Sequence, residues 1–261
     1  MLGIYFSGTG NTRYCMEQFV SHYDNTMKIM SLEEAKSALD KIHSERDIAF
    51  AYPIYYSNLP KIVREFIDDN SDIWKDKNIF VIATMGLFSG DGAGLAARRL
   101  KKYDAHIIGG VHIQMPDCIC DVKALKRDFS QNQQIVIKAQ EKIKYAVQKL
   151  RAGTPTREGL NFWSHLAGLF GQRLWFFNKT REYSNKLKIN EADCIGCGKC
   201  VKVCPMKNLS MINGKPEPNG LCTMCYRCIN QCPKKAITLI GNKVITQYTI
   251  GDFLPENTET P

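Results

Sequence analysis

The sequence predicts an α/β chain in two parts: a doubly wound, five-stranded parallel sheet over residues 1–152, then a small α+β module over residues 186–261. Three observations predict it. Short apolar runs alternate with amphipathic helical stretches through residues 1–152, the pattern of βα units that feed a parallel sheet. A turn rich in Gly, Ser and Thr directly follows the first apolar run, where such sheets bind ligands. Eight of the chain's eleven cysteines fall between Cys194 and Cys232, so the last part is organised around metal-type ligands.

Leu2–Phe6 is apolar and ends in the Gly-rich turn, so it reads as a buried parallel strand. A helix is predicted from about Thr12 to His22, with Cys15, Phe19 and Val20 on one face and Cys15 in the core. Met27–Met30 reads as a strand, Leu32–His43 as a helix, Ile48–Tyr52 as the third strand and Pro60–Asp68 as a helix. Ile79–Thr84 is the fourth strand, followed by a helix over Gly94–Tyr103 with basic outer residues. Ile107–Ile113 is the fifth strand, and Gln133–Leu150 a long amphipathic helix.

Ligands of such sheets sit beyond the strands' carboxyl ends, where the strand order reverses. The turn Ser7-Gly8-Thr9-Gly10-Asn11-Thr12 has two glycines that let backbone N–H groups approach a phosphate. It adds hydroxyls at Ser7, Thr9 and Thr12, and the helix beginning at Asn11 or Thr12 presents its positive end. There is no Lys in the Walker position and no G-x-G-x-x-G, so neither a nucleoside triphosphate nor an ordinary dinucleotide site is indicated. Alone, the segment is equally a plain turn. Two further loops add to it: Pro53-Ile54-Tyr55-Tyr56-Ser57-Asn58 after the third strand, and Thr84-Met85-Gly86-Leu87-Phe88-Ser89-Gly90 after the fourth. Both combine aromatic faces with small polar residues, which suits a flat amphipathic ring whose edge takes backbone hydrogen bonds. The alternative is aromatic cover for the sheet edge.

With these three loops the chain resembles the flavodoxins, whose phosphate loop the first one matches in full. The resemblance implies FMN as the ligand. It would be bound by Ser7, Gly8, Thr9, Gly10, Asn11 and Thr12, by Pro53, Ile54, Tyr55, Tyr56, Ser57 and Asn58, and by Thr84, Met85, Gly86, Phe88, Ser89 and Gly90. One departure stands out. Flavodoxin-like proteins often have Gly where Ser57 stands, and a non-Gly residue disfavours positive φ, so a flavin-linked peptide flip is expected to be costlier here. The loop Met115-Pro116-Asp117-Cys118-Ile119-Cys120-Asp121 follows the fifth strand on the ligand side. Cys118 and Cys120 lack further partners in sequence and read as spare thiols rather than a redox or metal pair.

Residues 153–185 form an aromatic, basic connector. It carries Phe162, Trp163, Leu166, Leu169, Phe170, Leu174, Trp175, Phe176 and Phe177, broken by Gly168 and Gly171, with Arg173, Lys179 and Arg181 towards its end. One or two short amphipathic helices packing against both domains, anchored by Trp163 and Trp175, are expected. Contact with a membrane surface through residues 161–181 is the second reading.

Two runs of one form follow. Cys194, Cys197, Cys200 and Cys204 precede Pro205, and Cys222, Cys225, Cys228 and Cys232 precede Pro233. Structural zinc uses well-separated pairs and gives no reason for a third Cys at the same short spacing, or for the Pro. Disulfides belong to oxidising compartments, which the rest of the chain does not suggest. Three closely spaced thiolates can cap three irons of one cubane, but the local chain does not easily wrap round to the fourth. This stretch resembles the bacterial two-cluster ferredoxins, in which the fourth Cys of each run ligates the other cluster. The resemblance implies two 4Fe–4S clusters, one on Cys194, Cys197, Cys200 and Cys232, the other on Cys222, Cys225, Cys228 and Cys204. Short strands are expected at Lys188–Asn190, Leu209–Ile212 and Ile237–Leu239, with a short extension after Gly241 and a frayed tail from Pro255.

Over nearly its full length, Gly90-Asp91-Gly92-Ala93 and Met115-Pro116-Asp117 included, the chain resembles the fused flavodoxin–ferredoxin family of anaerobic bacteria and archaea. That resemblance implies a low-potential electron-transfer protein relaying electrons between two 4Fe–4S clusters and FMN, with redox proteins as partners. Two alternatives stay open: a flavoenzyme reducing a small molecule at FMN, roofed by the loop around Cys118, and a membrane-associated redox module. The formal charge is +9, but two clusters and a flavin phosphate at about −2 each bring it to about +3. A nucleic-acid partner is therefore not indicated. No basic, then apolar leader follows Met1 and no run has the length of a membrane span, so a cytoplasmic protein is expected.

Overall fold

The computed structural model describes residues 1–87, 91–168 and 182–254. Phe88, Ser89 and Gly90 of the third loop lie outside the described residues, as do connector residues 169–181, Trp175 among them, and the tail 255–261.

Five parallel strands, β1 (Leu2–Tyr5), β2 (Ile29–Ser31), β3 (Asp47–Pro53), β4 (Asn78–Met85) and β5 (His106–Gln114), stand in the order β2-β1-β3-β4-β5. That is the flavodoxin-like order, with its switch point between β1 and β3. Ile48 through Tyr52 in β3 and Ile79 through Ala83 in β4 are fully buried, because helices cover both faces and leave no side for polar residues. On one face, α1 (Asn11–Tyr23) and the long α6 (Phe129–Arg151) bring Cys15, Phe19, Ile143 and Val147 onto Phe80 and Ile82. On the other, α4 (Lys61–Asp69) and α5 (Gly92–Lys101) pack Ile62, Phe66 and Leu100 around Trp74.

The predicted helix Leu32–His43 is two helices, α2 (Leu32–Ala35) and α3 (Leu39–Ser44). A capping box between Ser31 and Glu34 starts the first, and Ala38 leaves helical geometry before the second. Leu32, Ala35 and Ile42 are all fully buried. In one continuous helix, Leu32 and Ile42 would lie about 80° apart around the axis; the break brings both inward. α6 starts four residues before its predicted Gln133 because Asp128 and Gln131 form a second capping box.

The cysteine module has two small antiparallel pairs. β6 (Lys188–Ile189) pairs with β9 (Ile237–Thr238), and β7 (Leu209–Ile212) with β8 (Lys215–Pro218). β8 escapes sequence reading because Pro216 and Pro218 argue against a strand. The signal was Asn213-Gly214, whose two positive φ angles make the tight hairpin turn.

The stretch after Gly241 is more than an extension. Ile245 donates its N–H to the Cys120 carbonyl at 2.8 Å, Ile250 donates to Thr9 at 3.3 Å, and Phe253 is buried between Tyr248 and Phe129. It straps the module back across the sheet domain. The connector departs from expectation in the opposite sense. Its helix α7 (Phe162–Gly168) leaves Phe162 66% and Trp163 75% exposed, so Trp163 is not a buried anchor. The helix is tied down instead by polar contacts: His165 Nδ1 lies 3.2 Å from the buried carboxylate of Asp91. No helix among the described residues is long and apolar enough to cross a membrane.

Candidate functional site

A cleft of about 290 Å³ opens at the carboxyl ends of β1, β3, β4 and β5. Ser7, Gly8, Thr9, Asn11 and Thr12 line it, with Pro53, Ile54, Tyr55, Tyr56 and Ser57 and with Thr84, Met85, Gly86 and Leu87. Gly10 and Asn58 do not line it and act behind the wall. Gly10, at φ 99°, is the residue before α1 and donates its N–H to Ser7 Oγ at 3.1 Å, which curls the loop. Asn58 exchanges backbone hydrogen bonds with Tyr55 at 3.0 and 3.2 Å.

The first loop suits a phosphate. α1 has no acidic residue in its first turn, so its free N–H groups and positive end are not neutralised. Thr12 Oγ1 lies 2.7 Å from Thr84 Oγ1, and the Asn11 side chain donates to the Pro116 carbonyl at 2.7 Å. These bonds hold the loop against β4 and the segment after β5. A neutral donor cradle of this kind fits the phosphate of FMN. The second loop revises one expectation. Tyr56 and Ser57 both adopt positive φ, 49° and 58°, as the two central residues of a tight turn closed by Tyr55 and Asn58. Ser57 thus already holds the left-handed conformation, at a cost borne by the turn's hydrogen bonds.

Sequence reasoning placed the segment after β5 on the ligand side without assigning its residues. Met115, Pro116, Asp117, Cys118 and Ile119 line the cleft, with Leu125. Burial holds the Asp117 carboxyl above its usual range, although its Oδ1 accepts the Ile119 N–H at 2.9 Å. Burial also pushes the Cys118 thiol well up, with Asp117 adding to it, and Cys120 up to about 12. Neither is a thiolate at neutral pH, so neither is a ready nucleophile.

The eight cysteines of the two runs ring two small voids, of about 20 and 10 Å³. Cys194, Cys197 and Cys200 share the first with Cys232, and Cys222, Cys225 and Cys228 share the second with Cys204. The fourth cysteine of each run therefore faces the other run's void. Among the described residues no three His, Cys, Asp or Glu side chains converge on a single metal ion. Burial pushes Cys222 up to about 11 and Cys225 up to about 12, so a thiolate in the second void needs a cationic partner to form. Backbone N–H groups turn towards the sulfurs: Asn208 to Cys204 at 3.3 Å, Met224 to Cys222 at 3.3 Å and Ala236 to Cys232 at 3.4 Å. A donor set of four thiols per void, with N–H groups offsetting their charge, fits iron–sulfur clusters.

The second void abuts the cleft. Met224 and Tyr226, each one residue from Cys225, form part of the cleft wall, and Cys225 packs into the hydrophobic core of the sheet domain. A Cβ added to Gly8 would lie 2.1 Å from the Cys225 carbonyl oxygen, so only Gly allows the phosphate loop and the cysteine run to touch. Arg227 clasps the junction: its Nη2 donates to the Ser7 carbonyl at 2.7 Å and pairs with Glu33 at 2.7 Å. Buried Asp121 completes it, accepting the Tyr226 hydroxyl at 3.0 Å and the N–H groups of Leu239 and Ile240 at 2.7 and 3.0 Å. None of this was legible in the sequence, because these partners are more than a hundred residues apart.

Comparisons with known proteins agree with both halves. The flavodoxin domain family matches residues 2–107, and the 4Fe-4S dicluster domain family matches residues 193–237. Among solved structures, the Trp repressor binding protein of Bacillus subtilis is 18% identical over 57% of this chain and 97% of its own, with a TM-score of 0.43. Two-electron reduced Megasphaera elsdenii flavodoxin is 19% identical over 57% and 99%, at 0.41, and a flavodoxin from the domain Archaea 14% over 58% and 99%, at 0.39. No curated protein matches the chain.

Proposed function

We propose that this fused flavodoxin–ferredoxin, an electron-transfer redox protein by its two domains, relays electrons at low potential between two 4Fe–4S clusters and a bound FMN. The observation that carries the reading is the shared wall: Met224 and Tyr226 of the ferredoxin domain line the flavodoxin cleft. FMN would be held by the phosphate loop Ser7–Thr12, the turn Pro53–Ser57 and the segment Thr84–Gly86. Cys194, Cys197, Cys200 and Cys232 would hold an outer cluster, and Cys222, Cys225, Cys228 and Cys204 an inner one. When bound, the clusters supply one-electron chemistry and FMN one- or two-electron chemistry.

The chain's own part in the relay is positional. Gly8 and Arg227 hold the phosphate loop against the inner run, and the Asp121 carboxylate and the 242–254 strap keep the domains from drifting apart. A flexible linker of some thirty residues would average over many separations; buried docking removes that averaging. Around the cleft, Ile119, Leu125, Met224 and Tyr226 present apolar surface that excludes water from the path. No side chain is assigned a catalytic role. The functional units of this reading are residues 1–152, 153–185 and 186–261.

The test is anaerobic stopped-flow on protein carrying about eight irons per chain, with a donor that reduces the clusters. Flavin absorbance should bleach in a concentration-independent step after the clusters are reduced. Flavin reduction that depends on donor concentration throughout would sink the relay.

A further inference from the structure

The outer cysteine site opens on a face of unusual charge. Cys197 is exposed, and its neighbour Ile195 is 60% exposed. Four exposed lysines belong to the same elements as this apolar tip. Lys199 and Lys234 line the same void as Cys197, and Lys202 lies one helical turn from Lys199. Lys235 follows Lys234 directly. None of the four makes an ion pair or a side-chain hydrogen bond among the described residues. Two acids, Glu191 and Asp193, share this edge, and Asp193 accepts a hydrogen bond from Asn190. Residues 186–254 as a whole carry ten Lys or Arg against four Asp or Glu.

The four lysines outnumber the two acids beside them, and the excess of ten bases over four acids across residues 186–254 exceeds the charge of about −4 that two clusters would bring. A positive rim around an apolar centre is the electrostatic form of a transient docking face, which steers a partner of opposite sign and releases it readily. Resting on the relay reading, we propose that this face docks an acidic one-electron carrier protein, presenting a carboxylate-rimmed redox centre to Ile195 and Cys197. One electron passes per encounter: the outer cluster gains or loses it, the partner's centre changes by one in the opposite sense, and no proton or bond is exchanged.

The test uses reduced holoprotein and two one-electron acceptors with distinct spectra, an acidic rubredoxin and the basic cytochrome c, in anaerobic stopped-flow at 50 and 500 mM salt. The rubredoxin rate should fall about tenfold with salt, and about tenfold again when Lys199, Lys202, Lys234 and Lys235 are all changed to Glu. The cytochrome c rate should rise under both changes. Iron and FMN content report that the variant is intact, and a redox titration of the outer cluster separates docking from driving force. Rates indifferent to salt overturn the proposal. So does a variant whose cluster potential shifts and whose two acceptor rates move together, because the lysines would then tune the cluster and not read the partner. The fast first phase reads this face alone, whereas slow drainage of the flavin reads the relay, so either can fail without the other.

Discussion

The two cysteine runs have one motif and two settings. Both place left-handed backbone two and four residues after their first cysteine: Gly196 and Gly198 in one, Met224 and Tyr226 in the other, all with φ between 58° and 68°. The outer run uses the residue for which that conformation is free. The inner run accepts strain of about 1 kcal/mol or more per residue, and the two strained side chains are those that form the cleft wall. Around the outer void Cys197 is exposed, whereas Cys225 and Cys228 of the inner run are buried. The repeat makes two rings of four cysteines, and packing sets one of them against the cleft and leaves the other at the surface.

The strongest way to break this comparison is to exchange ligands. Cys204→Ser, although in the first run, should empty the inner site, halve the iron content and slow flavin reduction by cluster donors at least about a hundredfold. Cys232→Ser should empty the outer site and spare the inner one. Electron paramagnetic resonance and iron analysis would decide, and the reverse pattern would refute the crossed ligation. Next in size, Thr9→Asp sets a carboxylate against the FMN phosphate in a cradle of neutral donors. FMN affinity should drop on the order of a hundredfold, about 3 kcal/mol, with both clusters retained. Equilibrium dialysis reads it, and unchanged affinity would move the phosphate away from Ser7–Thr12.

A middle-sized effect tests the junction without touching any cofactor loop. A Cβ on Gly241 would meet the Asp121 carbonyl oxygen at 1.8 Å, so Gly241→Ala should lower stability by about 1–3 kcal/mol. It should also slow cluster-to-flavin transfer several-fold at full iron and FMN content. A normal rate in that variant would mean that docking does not limit the relay. The smallest effect comes from swapping the two settings. Met224→Gly relieves left-handed strain while removing buried side chain, so its net change should stay within about 1 kcal/mol, with a slower transfer rate as its main signature. Gly196→Met has no cleft to fill, and its Cβ would lie 2.5 Å from the Gly214 carbonyl oxygen. It should lose about 1–3 kcal/mol in thermal unfolding and weaken the outer site. Equal costs for the two swaps would make the asymmetry incidental.

Local chemistry was what the sequence could determine. Cysteine spacing, the Ser7–Thr12 turn and the alternation of apolar runs act over a few residues, so two cysteine groupings, a turn at the sheet's carboxyl edge and the parallel strands were readable from it. The five strands appear where predicted, to within a few residues at their ends. Readings failed where a local signal met a distant demand. Leu32–His43 breaks in two because Leu32 and Ile42 must both face the core. Ser57 takes positive φ because the Tyr55–Asn58 turn requires it, and Trp163 stays exposed although its aromatic neighbours read as a buried connector. Pro216 and Pro218 sit in a strand whose partner is supplied only by the hairpin.

What tertiary structure alone decided is the meeting of the two halves. Gly8 beside Cys225, Arg227 on the Ser7 carbonyl, and Asp121 gathering Tyr226, Leu239 and Ile240 join segments more than a hundred residues apart, and no periodicity encodes such pairs. In the sequence Met224 and Tyr226 are only the two neighbours of Cys225. Folding puts both in the wall of the cleft, and Tyr226 in the wall of the inner cysteine void as well, because burying the polar groups of both domains demanded partners that only the other domain could provide.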